Sequence, residues 1–485
     1  MKNIFLLLII GLSTSLFSQS GIQWETGRNI ASNSFGNLHP RITCNDKGEA
    51  FIIWSRSSDQ SLQFTKWDGQ MFSAPVKINK GFDIAAASWM GPDIATRNDT
   101  IYLVMKAIPE GDANSHIYLV HSFDGGISFS NPIQVDKIGT DFSRFPTLAI
   151  DNDGHPIVAF MRFNSNFAES RWVVCRSDDY GQSFNPDIKV SGWKGSAEVC
   201  DCCPGSIVCK DNTCALFYRN NDKNIRDSWV SLSMDNGRSF INGFNIDNNN
   251  WNVSSCPASG PDGVLIDSTI YSVFMNGAKN PIANYFSSSS LSAQKFNSIS
   301  KLNNNISGLN SQNFPRIASN GKALGYAWTQ SVSGKAQLPL VFTNDVTTKK
   351  LPIYEIVDSV DISNTDLAIS KDKIFIVWED DVSRTIKFRS GSYEPIISSV
   401  KNIENNSEVN DYTLSHNSSQ WIIKSNSKKA IRFVELFDLF GRRIYQISPN
   451  SSDNQIILEK NEIIPGVYFL KITGLKKSVT LKLMN

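Results

Sequence analysis

The chain has 485 residues and a net charge of +1, from 47 basic and 46 acidic side chains. That balance gives no electrostatic footprint for nucleic acid or for an anionic membrane surface. The length exceeds one ordinary domain, and abundant Gly, Asn and Ser without long amphipathic helical periods predict an all-β fold.

Residues 1–20 read as a signal peptide: Lys2 supplies the charge, Ile4 to Leu12 the apolar core, and Ser18 to Ser20 small residues for cleavage. The core is about nine residues long, too short to span a bilayer, and no later segment is apolar enough for a membrane helix. The mature chain is therefore expected outside the cytoplasm, exported through the periplasm as a monomer, with its eight cysteines in an oxidising setting.

From residue 21 to about 400 the chain repeats a unit of two apolar strands. Openings stand at His39-Pro40-Arg41, Gly91-Pro92-Asp93, Phe145-Pro146-Thr147, Cys203-Pro204-Gly205, Gly260-Pro261-Asp262, Phe314-Pro315-Arg316 and Thr365-Asp366. The seventh unit is short of a strand, and Gly21 to Thr26 precedes the first, so the N-terminal strand is expected to complete the last unit and remove exposed edges. This topology brings Arg41, Arg144 and Arg316 to one face with Arg56, Arg162, Arg219, Glu379 and Asp380. Arg226 and Asp227 follow Arg219 in one loop.

Superposed on these units is an eight-residue pattern, Ser-x-Asp-x-Gly-x-Ser-Phe, starting at Ser122, Ser177 and Ser233. Repetition at a period near fifty signals stacked or radial units. Asp124, Asp179 and Asp235 are suited to accept backbone N–H bonds, Gly126, Gly181 and Gly237 to supply a positive φ, and the terminal Phe to fill an apolar gap. The pattern resembles the Asp box, a structural hairpin of sialidases and other β-propellers. The resemblance implies a sialidase-like propeller. The unit count gives seven blades, against the six of sialidases, which stand as the alternative.

Cysteines cluster at the fourth opening, Cys200-Asp201-Cys202-Cys203-Pro204, and Cys256-Pro257 nearly opens the fifth. Neighbouring units touch, so a bond from Cys256 to Cys200, Cys202 or Cys203 is expected. The spacing is not that of a zinc ribbon, and no metal or other cofactor is expected, although a metal or redox site remains an open alternative. Cys209 and Cys214 flank a short turn and suit a cross-hairpin bridge. Cys44 and Cys175 lie in strand patterns as buried thiols. The five histidines show no metal spacing.

The cysteine loop, Phe217-Tyr218-Arg219-Asn220, Ile225-Arg226-Asp227, Trp251 and Cys256-Pro257 together resemble a set of secreted sialidase-like propeller proteins over residues 195–265. The resemblance implies recognition, and hydrolysis, of acidic glycans or glycoproteins. Sialidase chemistry needs three arginines around a carboxylate, a Tyr–Glu nucleophile pair and an acid. Arg144, Arg162, Arg219, Arg226, Glu379 and Asp380 are the candidates. Tyr218 and Tyr326 sit inside strands and make poor nucleophiles. The alternative is a non-catalytic surface propeller that binds glycans or proteins, or mediates adhesion.

From about Ser407 to 485 the texture changes to short alternating strands, read as a small β-sandwich. Glu435-Leu-Phe-Asp438-Leu-Phe-Gly441-Arg-Arg and Ile464-Pro465-Gly466-Val467-Tyr468, with a basic final strand, resemble the type A sorting domain of the type IX secretion system. That implies export to the surface or beyond, with the secretion machinery as partner.

Overall fold

The computed structural model describes residues 21–193, 198–296, 298–302, 306–347 and 353–393. In the C-terminal region it describes 412–416, 420–425, 431–438, 442–448, 455–460, 463, 467–474 and 478–484. The signal peptide expected at 1–20, the start of the sorting region at Ser407, and Gly441, Pro465 and Gly466 lie outside them. The described residues form strands and turns without a helix. The chain divides into two compact units, residues 1–395 and 396–485.

The first unit contains seven antiparallel sheets, each with four consecutive strands or their equivalent. In chain order their first strands are Asn37–Cys44, Asp93–Arg97, Phe142–Ile150, Ser206–Lys210, Asp262–Ile266, Leu309–Ser319 and Ile362–Ile369. Each of these strands touches the next, and the seventh touches the first, so they close a cycle. The outer strand of the seventh sheet is Ile22–Trp24, which pairs with Thr385–Tyr393 in the register Ile22↔Tyr393. The N-terminal strand thus has the expected place. Apolar clusters fill the gaps between neighbouring sheets: Phe51 and Phe64 of the first meet Leu103 and Met105 of the second, for example. Inner strands are apolar on both faces where both are covered, as the run Ala50 to Trp54 shows.

The three Ser-x-Asp-x-Gly-x-Ser-Phe turns join third and fourth strands and share one geometry. In the second sheet Ser122 Oγ donates to Asp124 (2.7 Å) and accepts from Gly126 N (2.9 Å), while Ser128 N donates to Asp124 (3.0 Å). The other two turns repeat these bonds. Hydrogen bonds from Ser128 hold the Asp124 carboxyl down at about 2. Gly126, Gly181 and Gly237 lie at φ +86°, +87° and +76°. A Cβ on Gly126 would also stand 2.6 Å from Phe64 of the preceding sheet. The glycine therefore serves both the turn and the contact between sheets, and Phe129 packs edge-on to that same Phe64 (4.9 Å).

In the second unit, the sheet Tyr412–His416, Gln420–Ser425, Gln455–Glu459 and the sheet Arg443–Ile447, Ile431–Phe437, Val467–Gly474, Ser478–Met484 share one core. Trp421 and Ile423 enter it from the first sheet, and Val434, Leu436, Leu470 and Ile472 from the second.

Candidate functional site

The openings converge. Residues of all seven line one axial cavity of about 50 Å³, including His39, Asp93, Phe145, Pro204, Pro261, Arg316 and Asn364. Four of the openings contain a bulge; in three the chain steps around a proline, and in the seventh Ser363 and Asn364 stand there instead. In three of them the residue before proline sits at positive φ: His39 (+52°), Phe145 (+54°) and Phe314 (+48°). Non-glycine residues rarely adopt that conformation, and concentrated outliers of this kind are tolerated where surrounding structure imposes them.

Just past five of the six opening prolines, and at Asp366 of the seventh opening, comes a polar side chain that bonds a neighbouring sheet, whereas Gly205 follows Pro204. Asp93 accepts from Thr147 Oγ1 (2.7 Å) and Leu148 N (3.1 Å). Asp262 accepts from Ile317 N (3.1 Å), and Asp366 from Ile42 N (3.0 Å). Arg316 Nε lies between Asp366 (3.0 Å) and Asp262 (3.3 Å). Burial opposes its charge, but the surrounding carboxylates Asp262, Asp366 and Asp93 raise its pKa further above the ordinary value. Arg41 instead donates to Pro40 O and Asn364 Oδ1. Burial, with the charge of Arg316, lowers its pKa to about 10. Beside it, burial holds the His39 imidazole well below its usual value, in the neutral form.

Glu379 lies behind this wall. Its carboxylate accepts from Ser88 Oγ (2.8 Å) and His39 N (3.1 Å). Burial raises its pKa to about 7, which these two bonds only partly offset. A carboxyl raised in this direction keeps its proton to higher pH, as a general acid must. Asp380, next in sequence, is different: burial works against ionisation, yet Lys387 (2.5 Å) pulls its pKa down.

The candidate arginines are each engaged elsewhere. Arg144 forks onto Glu110 (3.0 and 3.1 Å) and lies over Phe145. Arg162 binds Asp141 and Asp187. Arg219 is fully buried, donating to the carbonyls of Ser259, Arg226 and Met275 and stacking on Trp251. Arg226 donates to Val253 O (3.0 Å) and to Cys200 Sγ (3.1 Å). Only Arg219 and Arg226 are brought together, and their work is to hold loops. The reason is physical: a buried guanidinium must fill its five N–H donors, and here backbone carbonyls and local carboxylates do so. Tyr218 is buried in its strand.

Arg219 and Arg226 anchor the cysteine loop. Cys202 is bonded to Cys256, so the three-way choice resolves on the middle cysteine. Cys209 and Cys214 form the cross-hairpin bridge. Cys200 and Cys203 are buried free thiols, as is Cys175, whereas Cys44 is only partly buried. The sequence reading missed the axial residues His39, Asp93, Asp262 and Asp366 as a group. Their signal was available, since each stands beside the repeated opening, but their contacts cross between sheets.

The C-terminal unit defines the chain as an exported protein. Residues 417–484 match the secretion system C-terminal sorting domain, which marks export by the type IX system to the cell surface or outside. No curated protein matches the chain. Among solved structures it resembles a protein of unknown function from Dyadobacter fermentans (11% identity, TM-score 0.47, covering 77% of this chain and 100% of that one). It also resembles a PL25 ulvan lyase bound to -[GlcA(1-4)Rha3S]- (10%, 0.47, 74% and 93%) and the Penicillium chrysogenum alpha-L-arabinanase complexed with arabinobiose (11%, 0.43, 76% and 98%). At such identities these likenesses say nothing of this chain's substrate.

Proposed function

We propose that the protein is an exported seven-bladed propeller, closed by its N-terminal strand and carried out by a type A sorting domain, that binds extracellular glycans or glycoproteins. The seven four-stranded sheets and the cyclic contact of their first strands support the blade count. The binding face is the end of the ring where the openings meet. There the partly exposed Trp89 packs edge-on to Phe145 (5.5 Å), and an aromatic surface of this kind suits the apolar face of a sugar ring.

One observation favours binding over hydrolysis. Arg144, Arg162, Arg219 and Arg226 are all committed to internal partners, so none of these four is free to clamp a sugar carboxylate. A cavity of about 50 Å³ has room for a few waters and none for a sugar ring. A second reading, glycosidic cleavage, draws on the raised pKa of Glu379 alone. The test is a glycan array with the full chain, run beside release assays on sialosides and other acidic glycosides. Retention of an acidic glycan without release is expected. Turnover that vanishes in Glu379→Gln would establish the second reading instead. Removal of residues 407–485 should leave the propeller folded but retained in the cell.

A further inference from the structure

The cysteine loop holds a sulfur cluster that the binding reading does not use. Cys200 Sγ lies 3.0 Å from Cys203 Sγ and 3.5 Å from Cys202 Sγ. Cys202 carries the disulfide to Cys256, and Cys256 is exposed. Cys200 and Cys203 are completely buried. A dithiol thus lies directly behind a disulfide that reaches the surface.

The two thiols are not equivalent. The Cys203 thiol donates to Cys200, and the charges of Arg219 and Arg226 add to that against the opposing effect of burial, so Cys200 titrates at about 6. Cys203 moves the other way, raised by burial and by its bond to Cys200. Burial without such hydrogen-bonded thiol partners gives an inert thiol, as at the fully buried Cys175, whose pKa is pushed well up. A thiolate at attack distance from a disulfide sulfur, with a second thiol behind it, is the arrangement that thiol–disulfide exchange needs.

We propose that Cys200, Cys202, Cys203 and Cys256 form a relay that moves a disulfide between the surface and the interior. The Cys200 thiolate attacks Cys202 Sγ, a Cys200–Cys202 bond forms, the Cys202–Cys256 bond breaks, and Cys256 leaves as thiolate. Cys203 then attacks Cys200 Sγ, closing Cys200–Cys203 and releasing Cys202. Its proton passes to the departing thiolates. The inner pair loses two electrons and the outer pair gains them, so the migration needs no outside oxidant. The outer dithiol is then positioned for an external organic disulfide, which it reduces to two thiols while Cys202–Cys256 re-forms.

The full chain, poised with dithiothreitol so that one disulfide remains in the loop, is labelled with N-ethylmaleimide without denaturant. It is then denatured, labelled with iodoacetamide and mapped. Maleimide on Cys202 and Cys256, together with a closed Cys200–Cys203 pair that accumulates with time, is the expected result. Cys200→Ser should cut maleimide labelling of Cys256 by about tenfold or more. Cys203→Ser, a second variant in case the first misfolds, should stop at the Cys200–Cys202 bond with Cys256 labelled. Two results overturn the relay. One is a wild-type chain that keeps Cys202–Cys256 closed while Cys200 and Cys203 take only iodoacetamide. The other is stoichiometric zinc or copper protecting all four sulfurs from both labels.

Discussion

The third and fourth sheets open in the same way up to a point. In the third, Arg144 pairs with Met161 and Thr147 with Ala159, leaving Phe145 and Pro146 as a short bulge. In the fourth, Val199 pairs with Asn220 and Ser206 with Phe217, and the gap between them contains the whole stretch from Cys200 to Gly205. The bulge has been expanded into a loop. The short bulge is held by continuing strand pairing on both sides and needs little else. The long one has lost that support, and a disulfide to the next sheet plus two buried arginines replace it. Chemistry beyond turn formation collects where the ladder is interrupted.

Removing each support should rank the two openings. The largest effect is expected from Cys256→Ser, because Cys202–Cys256 closes a separation of 54 residues. The chain-entropy estimate is about 4 kcal/mol, against about 2 kcal/mol for Cys209→Ser, whose partner is 5 residues away. Denaturant midpoints of the two variants check this order. Next comes Arg219→Met, which strands three buried carbonyls and should cost about 3 kcal/mol. At the third opening Arg144→Ala, with a partly exposed partner, should cost about 1 kcal/mol or less. Equal losses for the two arginines would remove the distinction between openings.

A separate effect is one of pH. Glu379 has a folded pKa raised to about 7, above its unfolded value near 4.5. Its contribution to stability is therefore fully present below about pH 4.5 and is lost as pH rises through 7. Glu379→Gln should flatten that part of the stability–pH curve while leaving the cysteine loop unchanged. A decline that is identical in the variant would assign it to another group.

Much of the ring was legible because its signals are local. The Ser-x-Asp-x-Gly-x-Ser-Phe turns, the proline at the openings and the partnership of Cys209 with Cys214 each depend on residues close in sequence. Cys256 was legible only to within three partners, because a loop of consecutive cysteines does not say which sulfur faces outward. The partners of the arginines were hidden for a related reason. Sequence places Arg162 and Arg219 on the right face, but it does not show Asp187 or the carbonyls of Ser259 and Met275 waiting beside them. The axial carboxylates were hidden similarly, since Asp93 and Leu148 are 55 positions apart.

The pairing of Ile22 with Tyr393 carries a consequence for how the molecule assembles. These residues stand at the two ends of the ring's sequence, so their ladder closes the longest loop in the unit, and the entropy of that closure must be met before the contact returns anything. Every other sheet can form from a contiguous stretch of chain. The seventh cannot, and until it does, the backbone of Thr385–Tyr393 remains an open template for pairing with another chain. An exported chain passes through that state after each threading, which makes the time spent with the first strand undocked the interval in which it is most exposed to aggregation and proteolysis.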